Sequence, residues 1–300
     1  MKMAKKSLNI VVLLRETCDP RPPVQLTADG FAVSERGLRR IANPADLAAL
    51  EQALSLAEKD GGEVTAIAIG PKRLDDHLRL ALAMGAGRAI RVWNSSFAGG
   101  DVSSAARLTG RILEILVPDL ILTGSRLLDR GDDPTLALAA ARLDLPCLSA
   151  TLEVKRHERG VEALRKSDRG ARQKLTAALP CALLIEADSC TPRYPDQPGL
   201  MAALKAPIEV WGVAELGLQV STLGAAGSLL GKGPCAFPRP NPQRTVTPDA
   251  NLPAFERILA LLSGGIKPRA GKVHTLESEA TVERLLEIFA SAGLLGSQSS

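Results

Sequence analysis

A polar loop that follows an apolar run carries the residue types best suited to bind a phosphate or a sugar. The run Leu120-Ile121-Leu122 predicts a buried strand, and the loop after it extends from Gly124 to Thr135. Glycine permits close backbone approach, hydroxyl and backbone N–H groups can donate to phosphate oxygens, and Asp129 can accept from a sugar hydroxyl. The loop matches neither the P-loop nor the GxGxxG fingerprint. A solvated, aspartate-rich loop explains the same composition, and the residues alone leave both interpretations open.

The motif Asn43-Pro44-Ala45-Asp46 begins a predicted helix. Asparagine is a preferred N-cap residue and proline suits the first helical turn, so the motif favours a side chain that caps its own helix. The same free N–H groups, at the positive end of the helix dipole, can also receive a phosphate. Capping is therefore the interpretation that the motif favours when taken alone, and a phosphate site is the alternative.

The segment Pro192-Arg193-Tyr194 follows the apolar run 181–185 and contains the only tyrosine of the chain. Proline restricts the backbone, and arginine is a permanent cation suited to pairing with carboxylates. The segment is therefore predicted to be a rigid loop that holds a permanent cation beside this tyrosine.

Groups for acid–base, nucleophilic or metal chemistry form no recognisable pattern. The histidines, His77, His157 and His274, have no metal-ligand spacing with one another or with the five scattered cysteines. No Ser/His/Asp or Cys/His set follows from these positions. We therefore predict no catalytic residue and no metal site in this chain, and we expect His77 to be exposed on a polar helix face.

The composition is ordinary for a globular protein and limits the classes of partner. The net charge is +4, hydrophobic residues make up 45% and aromatic residues 3% of the chain. Few aromatic rings leave little for bases to stack on, which argues against nucleic acid as a partner. No apolar run reaches the roughly 20 residues of a membrane span. Cysteines without a disulfide framework indicate a reducing cytoplasm.

Strand and helix patterns alternate through the first half of the chain. Apolar runs typical of strands buried on both faces begin at Leu8, Val64, Ala89 and Leu120. Between them, apolar residues recur at helical spacing. This alternation predicts right-handed crossovers and a doubly wound, mostly parallel α/β sheet of the nucleotide-binding type. The helical faces are Leu47, Leu50, Leu54 and Ala57; Leu74, Leu78 and Leu82; and Leu108, Ile112 and Ile115.

A β-hairpin is predicted further along the chain. Apolar and polar residues alternate on both sides of His157-Glu158-Arg159-Gly160. The basic run that follows, from Arg165 to Lys174, is either the solvated face of this hairpin or a docking surface for an acidic partner or a phosphate group.

The C-terminal part has the pattern of an extended arm. The proline-rich segment 237–242 favours extended chain. Two amphipathic helices are predicted after it, at Pro253–Leu262 and Glu279–Phe289. Since short helices of this kind have little to bury against, we predict a nucleotide-binding domain at 1–220 and an arm at 221–300 that packs on a partner subunit.

The segments described above resemble, in their order, the β subunit of electron-transfer flavoproteins over roughly residues 8–215. The matching features include Asn43-Pro44, Arg79 to Ala86, Asp119 to Gly124 and Pro192-Arg193-Tyr194. The resemblance implies a heterodimer whose α subunit holds or shares FAD and is embraced by the arm of the β subunit. It also implies electron transfer from flavin dehydrogenases, such as acyl-CoA dehydrogenases, towards a quinone reductase.

The resemblance further implies a nucleotide site in this subunit. The nucleotide is AMP in the ordinary branch of the family and a second FAD, with NADH as donor, in the electron-bifurcating branch. By position, the nucleotide contacts would be Leu13, Asn43, Pro44, Ala45, Asp46, Ile69, Gly124, Ser125, Arg126, Leu127, Leu128, Asp129 and Thr135. The residues that dock the dehydrogenase would be Pro192, Arg193, Tyr194, Gln197 and Met201.

Some positions depart from the family pattern. Asp133-Pro134 precedes Thr135, and two extra carboxylates near a phosphate would repel it. Gln197 stands where the family places a leucine that anchors the dehydrogenase, which implies a different or differently docked electron partner. The predicted helix at 253–262 is an insertion relative to the shorter version typical of the family. Outside the family, the alternative is an adenine-nucleotide-sensing module of the universal-stress type.

Overall fold

The computed structural model describes residues 7–23, 25–28, 30, 33–34, 37–157, 160–231, 247–262, 275 and 277–292. The chain divides into two compact units, Met1–Ala236 and Phe237–Ser300. A sheet and its flanking helices make up the first unit, and two helices with short adjoining segments make up the described part of the second.

Strands and helices alternate along the chain. The strands are β1 (Leu8–Leu14), β2 (Glu16–Cys18), β3 (Arg40–Ala42), β4 (Gly62–Ile69), β5 (Arg88–Val92), β6 (Leu120–Gly124), β7 (Arg126–Leu127), β8 (Gly131–Asp132), β9 (Cys147–His157), β10 (Gly160–Lys166), β11 (Arg172–Ala178), β12 (Cys181–Ile185) and β13 (Glu209–Trp211). The helices are α1 (Pro44–Asp60), α2 (Asp75–Met84), α3 (Val102–Leu116), α4 (Thr135–Arg142), α5 (Gln197–Lys205), α6 (Val213–Leu216), α7 (Ala254–Leu262) and α8 (Ser278–Ser291).

The central sheet has the strand order β11-β10-β9-β12-β6-β1-β4-β5-β13. Its neighbouring strands pair in parallel, apart from the antiparallel pairs β9–β10 and β10–β11. Because β1 pairs with β4 on one side and β6 on the other, the direction of winding reverses beside β1. At such a switch point the loops diverge and leave a crevice at the carboxyl ends of the strands. The doubly wound, mostly parallel fold predicted from the sequence is confirmed.

Strand β1 shows why the predicted strands are continuous apolar runs. Ile10, Val12 and Leu14 pack with α1 and α2 on one face of the sheet, and Val11 and Leu13 pack with α3 and α4 on the other. Helices cover both faces, so alternation between apolar and polar residues is lost.

The predicted apolar face of α3 differs in one position from the observed one. Leu108 and Ile112 are buried as predicted, but Ile115 is exposed to 37%. The buried side of α3 includes Thr109 and Leu113 instead, which directly follow Leu108 and Ile112 in the sequence. Ile115 therefore lies at the edge of the packed face.

The predicted hairpin is formed by β9 and β10, and β11 extends it to the edge of the sheet. The basic residues Lys166, Arg169, Arg172 and Lys174 are exposed, and Arg165 is half-buried. Their exposure agrees with a solvated hairpin face, and the docking alternative stays a prediction.

Both helices predicted for the C-terminal part are present, as α7 and α8. None of the described residues of the second unit is buried. The proline-rich segment 237–242 lies outside the described residues. Within the part of the chain that the structure describes, we find no helix with the length and apolar character needed to cross a membrane.

Candidate functional site

A cavity of about 870 Å³ opens at the carboxyl ends of β1, β4, β5 and β6. Its volume lies in the range of small-molecule sites, and the switch point is where doubly wound sheets bind ligands. We call it the switch-point cavity. A smaller hollow of about 580 Å³ between α1 and β9 has no unpartnered buried polar atom in its lining.

The switch-point cavity is lined by both apolar and charged side chains, and the charged ones include Arg40, Arg73 and Arg130. Leu13 and Ile69 line it from the strand ends, and Trp93 and Phe97 line it from the loop after β5. The two aromatic rings meet edge to face, with centroids 6.4 Å apart. Apolar walls of this kind suit a flat ring and exclude water from it.

One polar atom in the lining has no partner. Thr109 on α3 is buried, and its Oγ1 makes no hydrogen bond within the described structure. A buried hydroxyl without a partner costs free energy, so such an atom calls for an explanation. A ligand in the switch-point cavity that offers a donor or an acceptor to Thr109 would supply one.

Arg15 and Asp46 form a buried ion pair at the switch point. Arg15 follows β1 directly, and Asp46 lies in the first turn of α1 with a fully buried side chain. One carboxylate oxygen of Asp46 accepts from the backbone N and Nε of Arg15, at 2.8 and 3.0 Å. The other accepts from Arg15 Nη2 at 2.5 Å, from the Gly124 backbone N at 2.7 Å and from Thr123 Oγ1 at 3.2 Å. Asp46 therefore joins β1, α1 and β6, and all of its acceptor capacity is used within the chain.

Arg15 also holds Asp133 from the loop before α4. Arg15 Nη1 donates to Asp133 Oδ2 at 2.7 Å, and the other oxygen of Asp133 accepts from the backbone N and the hydroxyl of Thr135, at 3.0 and 2.5 Å. Burial tends to lower the pKa of Arg15, but the combined effect of Asp46 and Asp133 is larger and raises this pKa above its ordinary value. Burial also tends to raise the pKa of Asp133, but hydrogen bonds from Thr135 and the nearby Arg15 lower it below its ordinary value.

Asn43 holds the loop after β6 and does not cap its own helix. Its amide donates to the carbonyl of Arg126 at 2.8 Å, and its side-chain oxygen accepts from the Leu128 backbone N at 3.2 Å. No side-chain hydrogen bond caps α1. The capping prediction is therefore wrong, because the loop competes successfully for the same amide.

Gly124 is needed for helix packing. A Cβ there would lie 2.4 Å from the Cβ of Ala45 and 2.7 Å from Asp46 Oδ1. Close backbone approach does occur at Gly124, as the sequence suggests, but the approaching group is the first turn of α1.

The structure brings only part of the predicted nucleotide contacts to the cavity. Those that line it are Leu13, Ile69, Leu127 and Thr135. The other predicted contacts are absent from its lining. Two of them are engaged elsewhere, since Ser125 donates a hydrogen bond to Glu186 and Asp129 accepts one from the Cys18 backbone N. These others are Asn43, Pro44, Ala45, Asp46, Gly124, Ser125, Arg126, Leu128 and Asp129.

Sequence reasoning missed Arg15 and Thr109 as site residues, and it noted Asp133 only as a departure from the family pattern. Arg15 could have been found, since it is a charge placed directly after a buried strand at the carboxyl edge. His77, which was expected to be exposed, is instead mostly buried, with its Nε2 3.8 Å from Glu16 Oε1. Burial lowers the pKa of His77, even though the nearby Glu16 and Asp76 oppose the shift. Among the described residues no group of His, Cys, Asp and Glu is arranged to hold a metal ion.

The predicted docking loop is anchored by charge. Arg193 pairs with Glu51 at 2.9 Å and also with Glu58, both on α1. Hydrogen bonds that Arg193 donates to these two carboxylates, Glu51 first, raise the pKa of Arg193. Tyr194 next to it is 97% exposed, and Gln197 and Met201 are exposed on α5. The cation is therefore paired within the chain, whereas the aromatic ring is exposed to solvent.

These features define a doubly wound α/β protein with a ligand-sized cavity at its switch point. The model of the family "Electron transfer flavoprotein domain" matches residues 30–216. The chain belongs to the electron transfer flavoprotein family, among its beta subunits.

Individual relatives agree with this membership. The electron transfer flavoprotein subunit beta of Methylophilus methylotrophus is 29% identical over 226 residues, which cover 74% of this chain and 86% of the relative. The subunit beta of Bacillus subtilis is 30% identical, covering 70% of this chain and 81% of the relative. Protein FixA of Azorhizobium caulinodans is 31% identical, covering 74% and 81%. This membership favours the electron-transfer interpretation over a universal-stress-type sensor.

Proposed function

We propose that this chain is the β subunit of a cytoplasmic heterodimer that carries electrons from flavin dehydrogenases, such as acyl-CoA dehydrogenases, towards a quinone reductase. Its α subunit would hold FAD, alone or shared with this chain, and the flavin would supply the redox chemistry. This chain would contribute a nucleotide site, a clasp for the α subunit and a docking surface.

The switch-point cavity is the proposed nucleotide site, for AMP or a second FAD. Its apolar walls fit the adenine ring, and the unpartnered Thr109 hydroxyl fits a polar edge of that ring or a sugar hydroxyl. Arg15 and Asp46 keep the strand ends and α1 in fixed positions around the ligand. No residue of the chain is proposed as an acid, a base or a nucleophile.

The observation that carries the heterodimer is the apolar surface of the second unit. Exposed side chains of α7 are Phe255, Ile258, Leu259, Leu261 and Leu262, and those of α8 are Val282, Leu285, Leu286, Ile288 and Phe289. Contiguous apolar surfaces of this kind mark interaction sites. Covering them with the α subunit would remove them from water.

Deletion of residues 237–300 tests the clasp. We expect the truncated chain to separate from a co-expressed α subunit on gel filtration, because it lacks the apolar helices. Deletion of only the last eight residues, 293–300, is the matched control and should leave the complex intact. A complex that survives the longer deletion would contradict the clasp.

The docking surface is proposed to include Tyr194 and α5. Leu200, Met201 and Leu204 on α5 are all exposed beside this loop, so apolar contact is available even though Gln197 is polar. Tyr194→Phe and Tyr194→Ala variants of the complex should be assayed for electron transfer from a dehydrogenase. We expect the alanine variant to raise KM for the dehydrogenase and the phenylalanine variant to retain most of the affinity.

The number of flavins decides between the two branches of the family. One flavin and one AMP per heterodimer support the ordinary form. Two flavins, with reduction by NADH, support the bifurcating form. Absorbance spectra and mass spectrometry of released nucleotides distinguish these compositions.

A further inference from the structure

We propose that Asp133 is a built-in anion that occupies the place of a ligand phosphate at the N-terminus of α4. The ligand of the switch-point cavity then gains no affinity from a phosphate, and adenosine binds at least as tightly as AMP. This inference rests on the proposed nucleotide site and adds which part of the nucleotide the site recognises.

The N-terminus of α4 is a helix start at the switch-point cavity, where free backbone N–H groups could receive a phosphate. Thr135 lines the cavity, and its backbone N and hydroxyl are the donors that a phosphate at a helix start would use. Both already donate to Asp133 Oδ1. The donors are therefore satisfied by the chain itself.

The donors of Arg15, the cation at this position, are also occupied by groups of the chain. Arg15 donates from Nη1 to Asp133 Oδ2 and uses Nε and Nη2 on Asp46. A phosphate at the start of α4 would have to displace a carboxylate that is held by three hydrogen bonds. If the carboxylate stayed, two anions would be close together in a partly buried place, where repulsion is weakly screened.

The other arginines that line the cavity are paired with carboxylates of the chain. Arg40 and Arg73 pair with Glu16, and Arg130 Nε lies 3.6 Å from Asp129 Oδ1.

The remaining part of the lining is suited to the nucleoside. The aromatic pair Trp93 and Phe97 and the aliphatic wall need no charge on the ligand. The unpartnered Thr109 hydroxyl can form a hydrogen bond with a neutral ring or sugar. Recognition by these groups is independent of the phosphate.

Calorimetric titration of adenosine and AMP into the complex with the α subunit, after bound nucleotide has been removed, tests the proposal. For the wild-type complex, we expect the Kd of adenosine to equal or lie below that of AMP. For Asp133→Asn, which keeps an acceptor for Thr135 but removes the charge, we expect AMP to gain tenfold or more relative to adenosine.

Asp188→Asn is the matched control. Asp188 is not part of the lining of the switch-point cavity, and its exposed carboxylate lies 3.4 Å from Lys166 Nζ. The same change of charge there should leave the ratio of the two Kd values within about threefold, because exposed charges are screened by solvent and salt.

Tighter binding of AMP than adenosine by the wild-type complex would overturn the proposal, and this result needs no variant. A ratio unchanged by Asp133→Asn would overturn it as well. If neither ligand binds the wild-type complex or the variant, the nucleotide site itself is wrong, which is a different failure.

Discussion

Replacing Asp46 by asparagine removes one charge and almost no volume, yet the structure predicts a large loss of stability. One carboxylate oxygen of Asp46 accepts two hydrogen bonds from Arg15, and the other accepts from Arg15, Thr123 and Gly124. An amide has only one oxygen. Whichever way the asparagine is turned, its NH2 group faces at least one donor whose only acceptor was Asp46: the backbone N and Nε of Arg15 in one orientation, and the backbone N of Gly124 in the other.

The cost follows from the bonds that are lost. In the better orientation the amide oxygen keeps Thr123, Gly124 and Nη2 of Arg15, and two donors of Arg15 lose their acceptor. A hydrogen bond to a charged group contributes about 1.5–3 kcal/mol, and removing one partner of a buried ion pair costs about 3–5 kcal/mol. We expect the free energy of unfolding to fall by about 3–5 kcal/mol, which is about 10 °C in Tm for a unit of this size.

Urea denaturation followed by tryptophan fluorescence measures this loss. Both tryptophans, Trp93 and Trp211, lie in the first unit, so the signal reports on the unit that contains Asp46. Asp188→Asn, at an exposed pair, is the control and should cost less than about 1 kcal/mol. A loss below about 1 kcal/mol for Asp46→Asn would refute the role given to the buried pair.

Further outcomes follow from the same contacts. Thr109→Val should weaken nucleoside binding by about 2- to 10-fold, the effect of one hydrogen bond, while stability without ligand stays equal or rises, since the hydroxyl has no partner; unchanged affinity in calorimetry would remove Thr109 from the site. Arg193→Ala should increase proteolysis in the loop around Tyr194 and slow electron transfer, because Glu51 and Glu58 lose the cation that ties the loop to α1; an equally protected and active variant would contradict this. The pKa of Asp133 is lowered in the folded chain, so its contribution to stability is fully present above pH 3.8, its ordinary pKa, and is lost as the pH falls through the lower folded pKa. Asp133→Asn should therefore make stability fall less steeply at acid pH. An unchanged pH dependence would show that the carboxylate does not contribute to stability.

Much of the fold could be predicted because its signals are local. The bounds of β1 and β12 follow from runs that are apolar throughout except at Asn9, since a strand covered on both faces needs apolar residues at most positions. The hairpin of β9 and β10 follows from alternation around a turn. Each of these patterns lies within about a dozen neighbouring residues.

The site was less predictable because its contacts join distant parts of the chain. Arg15 and Asp133 are 118 positions apart, and nothing in the residues around either one indicates the other. Thr109 belongs to an amphipathic helix, and only the packed structure shows that its hydroxyl is buried without a partner in a residue that lines the cavity. Local reasoning also failed for Asn43, where a loop 85 positions away uses the amide that a cap would have used.

The departure at Asp133 was visible in the sequence, but its consequence was not. An added carboxylate near a phosphate site predicts repulsion. The structure shows that the carboxylate is itself bound, by Arg15 and by the start of α4. Asp133 is therefore interpreted as a group that fills part of the site, and no longer as an obstacle in an open site.

The central claim is that this chain acts only with an α subunit and holds an adenine nucleotide in the switch-point cavity. Mass spectrometry of the native co-expressed complex, followed by analysis of the released ligands, tests it most directly. We predict a one-to-one heterodimer that releases FAD together with AMP or a second FAD. A chain that stays separate from the co-expressed α subunit and releases neither flavin nor adenine nucleotide would contradict the account.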